Sequence, residues 1–112
     1  MHMIFFVLDD PDKLIDVLTV WENVGITGVT ILESTGLHRV TRKAFPLRYV
    51  PAFYSNEERH QTLMAIVQDE SCITACLLAT ESIVGDLNSP NTGVFTAWPL
   101  SVVKGSSFTT EN

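Results

Sequence analysis

The sequence predicts a small α+β domain: a four-stranded antiparallel sheet with two helices on one of its faces. Three observations carry this. Short apolar runs of strand length alternate with segments of helical period. Their order along the chain is strand, helix, strand, strand, helix, strand. The chain has 112 residues, enough for one hydrophobic core and no more. That order is the split, ferredoxin-like βαββαβ plan, with right-handed crossovers. Residues 1–104 form the domain, and the small polar residues 105–112 form a fraying tail.

Each element has its own signal. Met3 to Leu8 is a continuous run of β-branched, aromatic and aliphatic residues, too short for a helix. Asp10 and Pro11 open the first helix, about residues 11–24, because aspartate caps and proline gives up an N–H that has no partner there anyway. Leu14, Ile15, Val17, Leu18, Trp21 and Val24 recur at helical spacing, and Gly25 stops the helix. Val29 to Ser34 is the second strand and Gln61 to Val67 the third. Asp69, Glu70 and Ser71 open the second helix, where acidic groups suit the dipole. Its buried stripe is Ile73, Cys76, Leu77, Thr80 and Val84, and Gly85 ends it. Leu87 to Thr92 is a turn-rich insert. Gly93 to Val103 is the fourth strand, bent at Pro99. In the first strand Ile4, Phe6 and Leu8 point one way and Met3, Phe5 and Val7 the other. Both sets are apolar, so the face without helices needs a cover, and a sheet from another subunit is the economical one.

Composition narrows the function. Thirteen acidic residues against seven Lys and Arg leave a formal charge of −6, which disfavours a nucleic-acid partner. No run of about 18 apolar residues exists, so no membrane span is expected. The N-terminus lacks the pattern of a signal peptide, which points to the cytoplasm. In that compartment Cys72 and Cys76 are expected reduced. A mean hydropathy of +0.21 is high for so small a chain and suggests an oligomer. Leu37 to Arg59 concentrates the positive charge in His38, Arg39, Arg42, Lys43, Arg48 and Arg59. A connection of that length is usually functional or disordered.

Gly25-Ile26-Thr27-Gly28-Val29-Thr30-Ile31 closely resembles the turn and second strand of the nitrogen regulatory PII signalling family. Gly36-Leu37-His38-Arg39 resembles the stretch that opens that family's long T-loop, here about residues 37–60. Gly85-Asp86 is similar to its C-terminal signature, and Val94-Phe95 to the strand that follows. The resemblance runs from residue 3 to about 104. It implies a non-enzymatic homotrimer whose sheets line a central barrel. Small effectors, typically adenine nucleotides such as ATP or ADP, would bind between subunits and reshape the T-loop, which then acts on a partner protein. By position, Thr30 and Ile66 would hold the adenine ring. Gly85, with Asp86 and Asn88, would lie near the phosphates, and Lys104 would take the place of a phosphate-contacting arginine. Gly36, His38 and Arg39 would line the cleft mouth.

The departures from the family pattern bear on the same site. The next arginine expected after Lys104 falls near Ser106. The Gly-Lys pair expected after Gly85-Asp86 is replaced by the insert from Leu87 to Gly93. Charge-assisted bonds supply about 1.5–3 kcal/mol each, so losing two cations weakens triphosphate binding. The amides of the insert could instead form an anion-holding nest. Val40 stands where the family has a glutamine used for metal and 2-oxoglutarate. Neither Tyr49 nor Tyr54 sits in the sequence of the family's modified tyrosine.

Other candidates are weaker. His2, His38 and His60 fit no zinc spacing, so no metal site is assigned. A divalent-cation tolerance-type trimer of the same fold is the alternative function, resting on His38 and His60. An enzyme would need a titratable pair in the cleft, for which His38 with Glu33 is the only candidate. Asp9 and Asp10 read as capping residues, and Trp21 and Trp98 as core or interface aromatics.

Overall fold

A computed structural model of the chain describes residues 1–35 and 59–105. The expectations placed on Gly36, His38, Arg39, Val40, Tyr49 and Tyr54, and on Ser106 and the tail, lie outside the described residues. The elements are β1 (His2–Leu8), a 3₁₀ turn (Pro11–Lys13), α1 (Leu14–Asn23), β2 (Thr30–Thr35), β3 (Arg59–Val67), α2 (Glu70–Val84) and β4 (Gly93–Pro99). The four strands form one antiparallel sheet in the order β2-β3-β1-β4. The architecture is α+β with two helices, compatible with the ferredoxin-like plan.

Three boundaries differ from the sequence reading by more than one residue, each for a physical reason. The first helix begins as a tight 3₁₀ turn. The Asp10 carboxylate accepts from Asp12 N at 3.0 Å, and the Asp10 carbonyl accepts from Lys13 N at 3.0 Å, so regular α-helix starts only at Leu14. Strand β3 starts at Arg59 rather than Gln61, because β2 extends far enough for Ser34 and Thr35 to pair with His60 and Arg59. Strand β4 stops at Pro99 instead of running to Val103. Its partner strand begins at His2, opposite Pro99, and the last rung of that register is Leu100 N donating to the Met1 carbonyl at 2.9 Å, so the residues after it have no strand to pair with there.

The core follows from the period of each element. Ile4, Phe6 and Leu8 of β1 and Leu63, Ala65 and Val67 of β3 are buried on the helical side of the sheet. Val17 and Trp21 of α1, with Cys76, Thr80 and Val84 of α2, meet them there. Burying a side chain the size of Phe6 contributes about 2–3 kcal/mol. Its ring packs against Trp21 and Phe95, at centroid distances of 6.3 and 6.1 Å. The indole N–H of Trp21 has one buried partner: it donates to Thr80 Oγ1 at 2.8 Å, and that hydroxyl donates to the Cys76 carbonyl at 2.7 Å. Ile15, expected on the inner stripe of α1, is 69% exposed and faces away from the sheet. The α2 N-terminus is capped by Asp69, whose carboxylate accepts from Ser71 N and Cys72 N.

The other sheet face is not covered by either helix. Register places its side chains in rows across the four strands. One row is Thr30, Met64, Phe5 and Thr96. Beside it on one side is Leu32, Thr62, Val7 and Val94, and on the other Ile66, Met3 and Trp98. Leu32, Val94 and Trp98 are 50%, 58% and 43% exposed. Phe5 and Trp98 are in ring contact at 6.1 Å.

Candidate functional site

The residues singled out by sequence fall into two groups, at opposite edges of the sheet. Thr30 sits on edge strand β2, exposed, on the uncovered face. Ile66 of β3 shares that face, one pair along from the Thr30–Met64 level. Gly85, Asp86 and Asn88 lie in the connection from α2 to β4, beside the other edge strand. Four strands at ~4.8 Å spacing put roughly 14 Å between the two edges. One copy of the chain therefore does not bring the two groups together. Lys104 is exposed and follows the far end of β4, away from the Gly93 end where the 85–92 connection enters.

The 85–92 connection is closed by its own hydrogen bonds. Leu87 N donates to Glu81 Oε2 at 2.9 Å, Asn88 N to Asp86 Oδ1 at 2.9 Å, and Ser89 N to the Asp86 carbonyl at 2.9 Å. Thr92 Oγ1 donates to the Ser89 carbonyl at 2.9 Å. Asn91 takes a left-handed φ of 66°. At Gly93 the backbone turns with φ +135° so close to β1 that a Cβ would stand 2.3 Å from the Val7 carbonyl oxygen. The nest expected of this insert is thus not offered by the amides of residues 87, 88 and 89, which are already bound, two of them to carboxylates. Between α2, this connection and β4 lies a groove of about 340 Å³, with Leu77, Leu87, Val94 and Phe95 as apolar walls and Glu81 and Asn88 as polar ones.

At the end of the sheet where β2 stops and β3 begins, the side chains become polar. Asp9, read from sequence as a cap, has a different partner: its Oδ1 lies 3.0 Å from His60 Nε2, with the two side chains 23% and 13% exposed. Asp10 alone does the capping. On the neighbouring strand Ser34 Oγ lies 2.9 Å from Thr62 Oγ1 and 3.4 Å from the His60 carbonyl oxygen. Sequence reasoning missed the Asp9–His60 pair because 51 positions separate the residues. The only signal was register: once Leu8 pairs with Gln61, Asp9 falls opposite His60. Glu33 lies on the other side of β2 from Ser34 and Leu32, by strand alternation.

The cysteines are free thiols. Cys76 is buried, and desolvation pushes its pKa up to about 12, so it stays a neutral thiol at physiological pH and is no nucleophile. Among the described residues no group of three or more metal-ligating side chains converges, and no helix is long and apolar enough to cross a membrane. Acidic residues there outnumber basic ones ten to three: Asp9, Asp10, Asp12, Asp16, Glu22, Glu33, Asp69, Glu70, Glu81 and Asp86 against Lys13, Arg59 and Lys104. In comparisons with known proteins, no family model and no curated protein matches the chain.

Proposed function

We propose that the chain is a PII-like regulatory protein with the ferredoxin-like βαββαβ fold, acting in the cytoplasm as a homotrimer without enzymatic activity of its own. A small anionic effector, an adenine nucleotide, binds in the clefts between subunits, and the basic segment around residues 37–60 conveys the bound state to a partner protein. The observation that carries this reading is the uncovered sheet face. It bears Met3, Phe5, Val7, Leu32, Met64, Ile66, Val94 and Trp98, a contiguous apolar surface of the kind that marks an interface. Identical copies set head to tail bring the free edge of β4 beside the free edge of a neighbour's β2. Such a contact closes into a ring when the rotation relating the copies is one third of a turn. It also brings Gly85, Asp86 and Asn88 of one copy toward Thr30 and Ile66 of the next, which a single copy holds apart. Gly36, His38 and Arg39 follow β2 in sequence and belong to the same cleft in this reading, and Lys104 adds a cation.

Light scattering on the full chain tests the assembly. The expected mass is three times 12.4 kDa, and a monomer at about 50 μM refutes the reading. Titration calorimetry with adenine nucleotides tests the effector. The Asp9–His60 pair favours one second reading, a divalent-cation tolerance-type trimer, since an imidazole nitrogen and a carboxylate oxygen 3.0 Å apart can share a metal ion. Equilibrium dialysis against copper and zinc, with His60→Ala as the control, separates the two: metal retention lost in the variant favours the second reading.

A further inference from the structure

We infer that the seam between α2 and β4 is a binding site for a long linear aliphatic polyamine, held by a carboxylate at each end. The site lies within one copy, on the helical side of the sheet, and goes beyond the reading above without resting on it. Two cavities follow one another along the seam. One, of about 340 Å³, lies between the C-terminal half of α2 and the Gly93 end of β4, and Glu81 lines it. The other, of about 370 Å³, lies between the first turns of α2 and the Pro99 end of β4, and Glu70 lines it. Helical period puts the two carboxylates on one face. Glu70, Ile73, Leu77 and Glu81 recur at steps of three and four, and the outer two stand very nearly three turns, or ~16 Å, apart along the axis. Opposite them β4 presents Phe95 and Ala97, which pair with Phe6 and Ile4 of the buried set. Ala97 is nonetheless exposed and Phe95 only half-buried, so α2 leaves this strip of the sheet open. No lysine or arginine lines either cavity, and the whole chain carries a formal charge of −6. Glu81 is fixed by accepting from Leu87 N through Oε2 at 2.9 Å, which leaves Oε1 without a partner among the described residues. Glu70 is exposed, and its carboxylate has no partner there either. Between them Thr74 Oγ1 gives its proton to the Glu70 carbonyl at 3.3 Å and keeps lone pairs for an inner ammonium.

A carboxylate, an apolar run and a second carboxylate match a methylene chain with an ammonium at each end. An extended chain advances ~1.25 Å per bond, so spermine spans about 16 Å, bis(hexamethylene)triamine about 17 Å and spermidine about 11 Å. The two triamines carry equal charge and differ in reach. Equilibrium dialysis of the full chain measures each at about 0.1 M ionic strength, where the screening length is about 10 Å. Spermine should be retained, and the longer triamine should bind at least about threefold more tightly than spermidine, since only it reaches both carboxylates. Glu70→Gln and Glu81→Gln should each weaken spermine about threefold, and together they should remove the longer triamine's advantage. Gln at 81 keeps an oxygen for Leu87 N, so the connection stays closed and the circular dichroism spectrum unchanged. Glu22→Gln removes the same charge from an exposed position of α1 that lines neither cavity, and should leave spermine within about 1.5-fold. Equal retention of the two triamines overturns the inference, because a diffuse acidic field reads charge and not length. A loss from Glu22→Gln as large as that from Glu81→Gln overturns it for the same reason, and so does no retention of spermine. Each of these outcomes leaves the trimer and its effector to their own tests.

Discussion

Thr80 is the position where a single atom should matter most. It is fully buried, and its hydroxyl is the acceptor for the indole N–H of Trp21, also fully buried, at 2.8 Å. Thr80→Val replaces that hydroxyl by a methyl of nearly the same volume. No cavity opens, and both residues are β-branched, so helix propensity hardly changes. What remains is a buried indole donor with nothing to bond, which costs about 1–3 kcal/mol. The Cys76 carbonyl, to which the hydroxyl donates at 2.7 Å, still has the main-chain partner an α-helix supplies. In a domain of this size each kcal/mol moves Tm by about 4 °C, so a fall of roughly 4–12 °C is expected. Urea unfolding followed by circular dichroism, at one fixed protein concentration, should show a lower midpoint with an unchanged slope. The control is the same substitution made on Trp21→Phe, where no indole N–H exists to be stranded. There Thr80→Val should cost under about 0.5 kcal/mol, and the difference between the backgrounds is the coupling of the pair. A Thr80→Val protein within about 0.3 kcal/mol of the parent would show that the buried donor finds another partner, and the reasoning would fail.

Other expectations follow from the same geometry. Gly93→Ala should cost roughly 2–4 kcal/mol, because its Cβ meets the Val7 carbonyl in a conformation that L-residues avoid. Gly85→Ala faces open space, but its φ of +91° with ψ of −169° is a conformation L-residues avoid, so it should cost about 1–3 kcal/mol by the same denaturation assay. Asp69 caps α2, and its hydrogen bonds to the Ser71 hydroxyl and the Cys72 amide hold its carboxyl below the usual 3.8. Its stabilising effect is present above that value and is lost as pH falls through the lowered folded pKa. Thermal melts of Asp69→Asn should accordingly fall less steeply below pH 4 than those of the parent. On the uncovered face, Leu32→Lys with Val94→Lys should lower the mass of the proposed trimer to that of a monomer by light scattering while keeping the parent circular dichroism spectrum, and an assembly unchanged by both would place its interface elsewhere.

How much of this was legible beforehand depends on the range over which each interaction acts. The six elements announced themselves locally: Asp10 before Pro11, Asp69 before a helical stripe, the short continuous apolar run Met3–Leu8. The same local logic erred where a distant group decided the outcome. Strand β4 ends at Pro99 because its partner β1 begins at His2, opposite it, and Ile15 lies outside because the sheet takes up the Val17–Trp21 side of α1. The candidate site shows the limit more sharply. Residues 85–92 look in sequence like a string of free amides and hydroxyls, apt for an anion. Whether those amides are free is a question about Glu81, which sits a full helical turn earlier and reads there as one more solvated carboxylate. Its oxygen on Leu87 N changes the chemistry of the insert from donor to acceptor without changing a residue in it. The uncovered face makes the complementary point. Its apolar character was visible in β1 alone, where both side-chain sets are apolar, but its continuity across four strands needed the register, since Leu32, Val7 and Val94 are neighbours only once the strands are paired. The inferences that survive best are therefore those in which a local pattern and a long-range pairing agree.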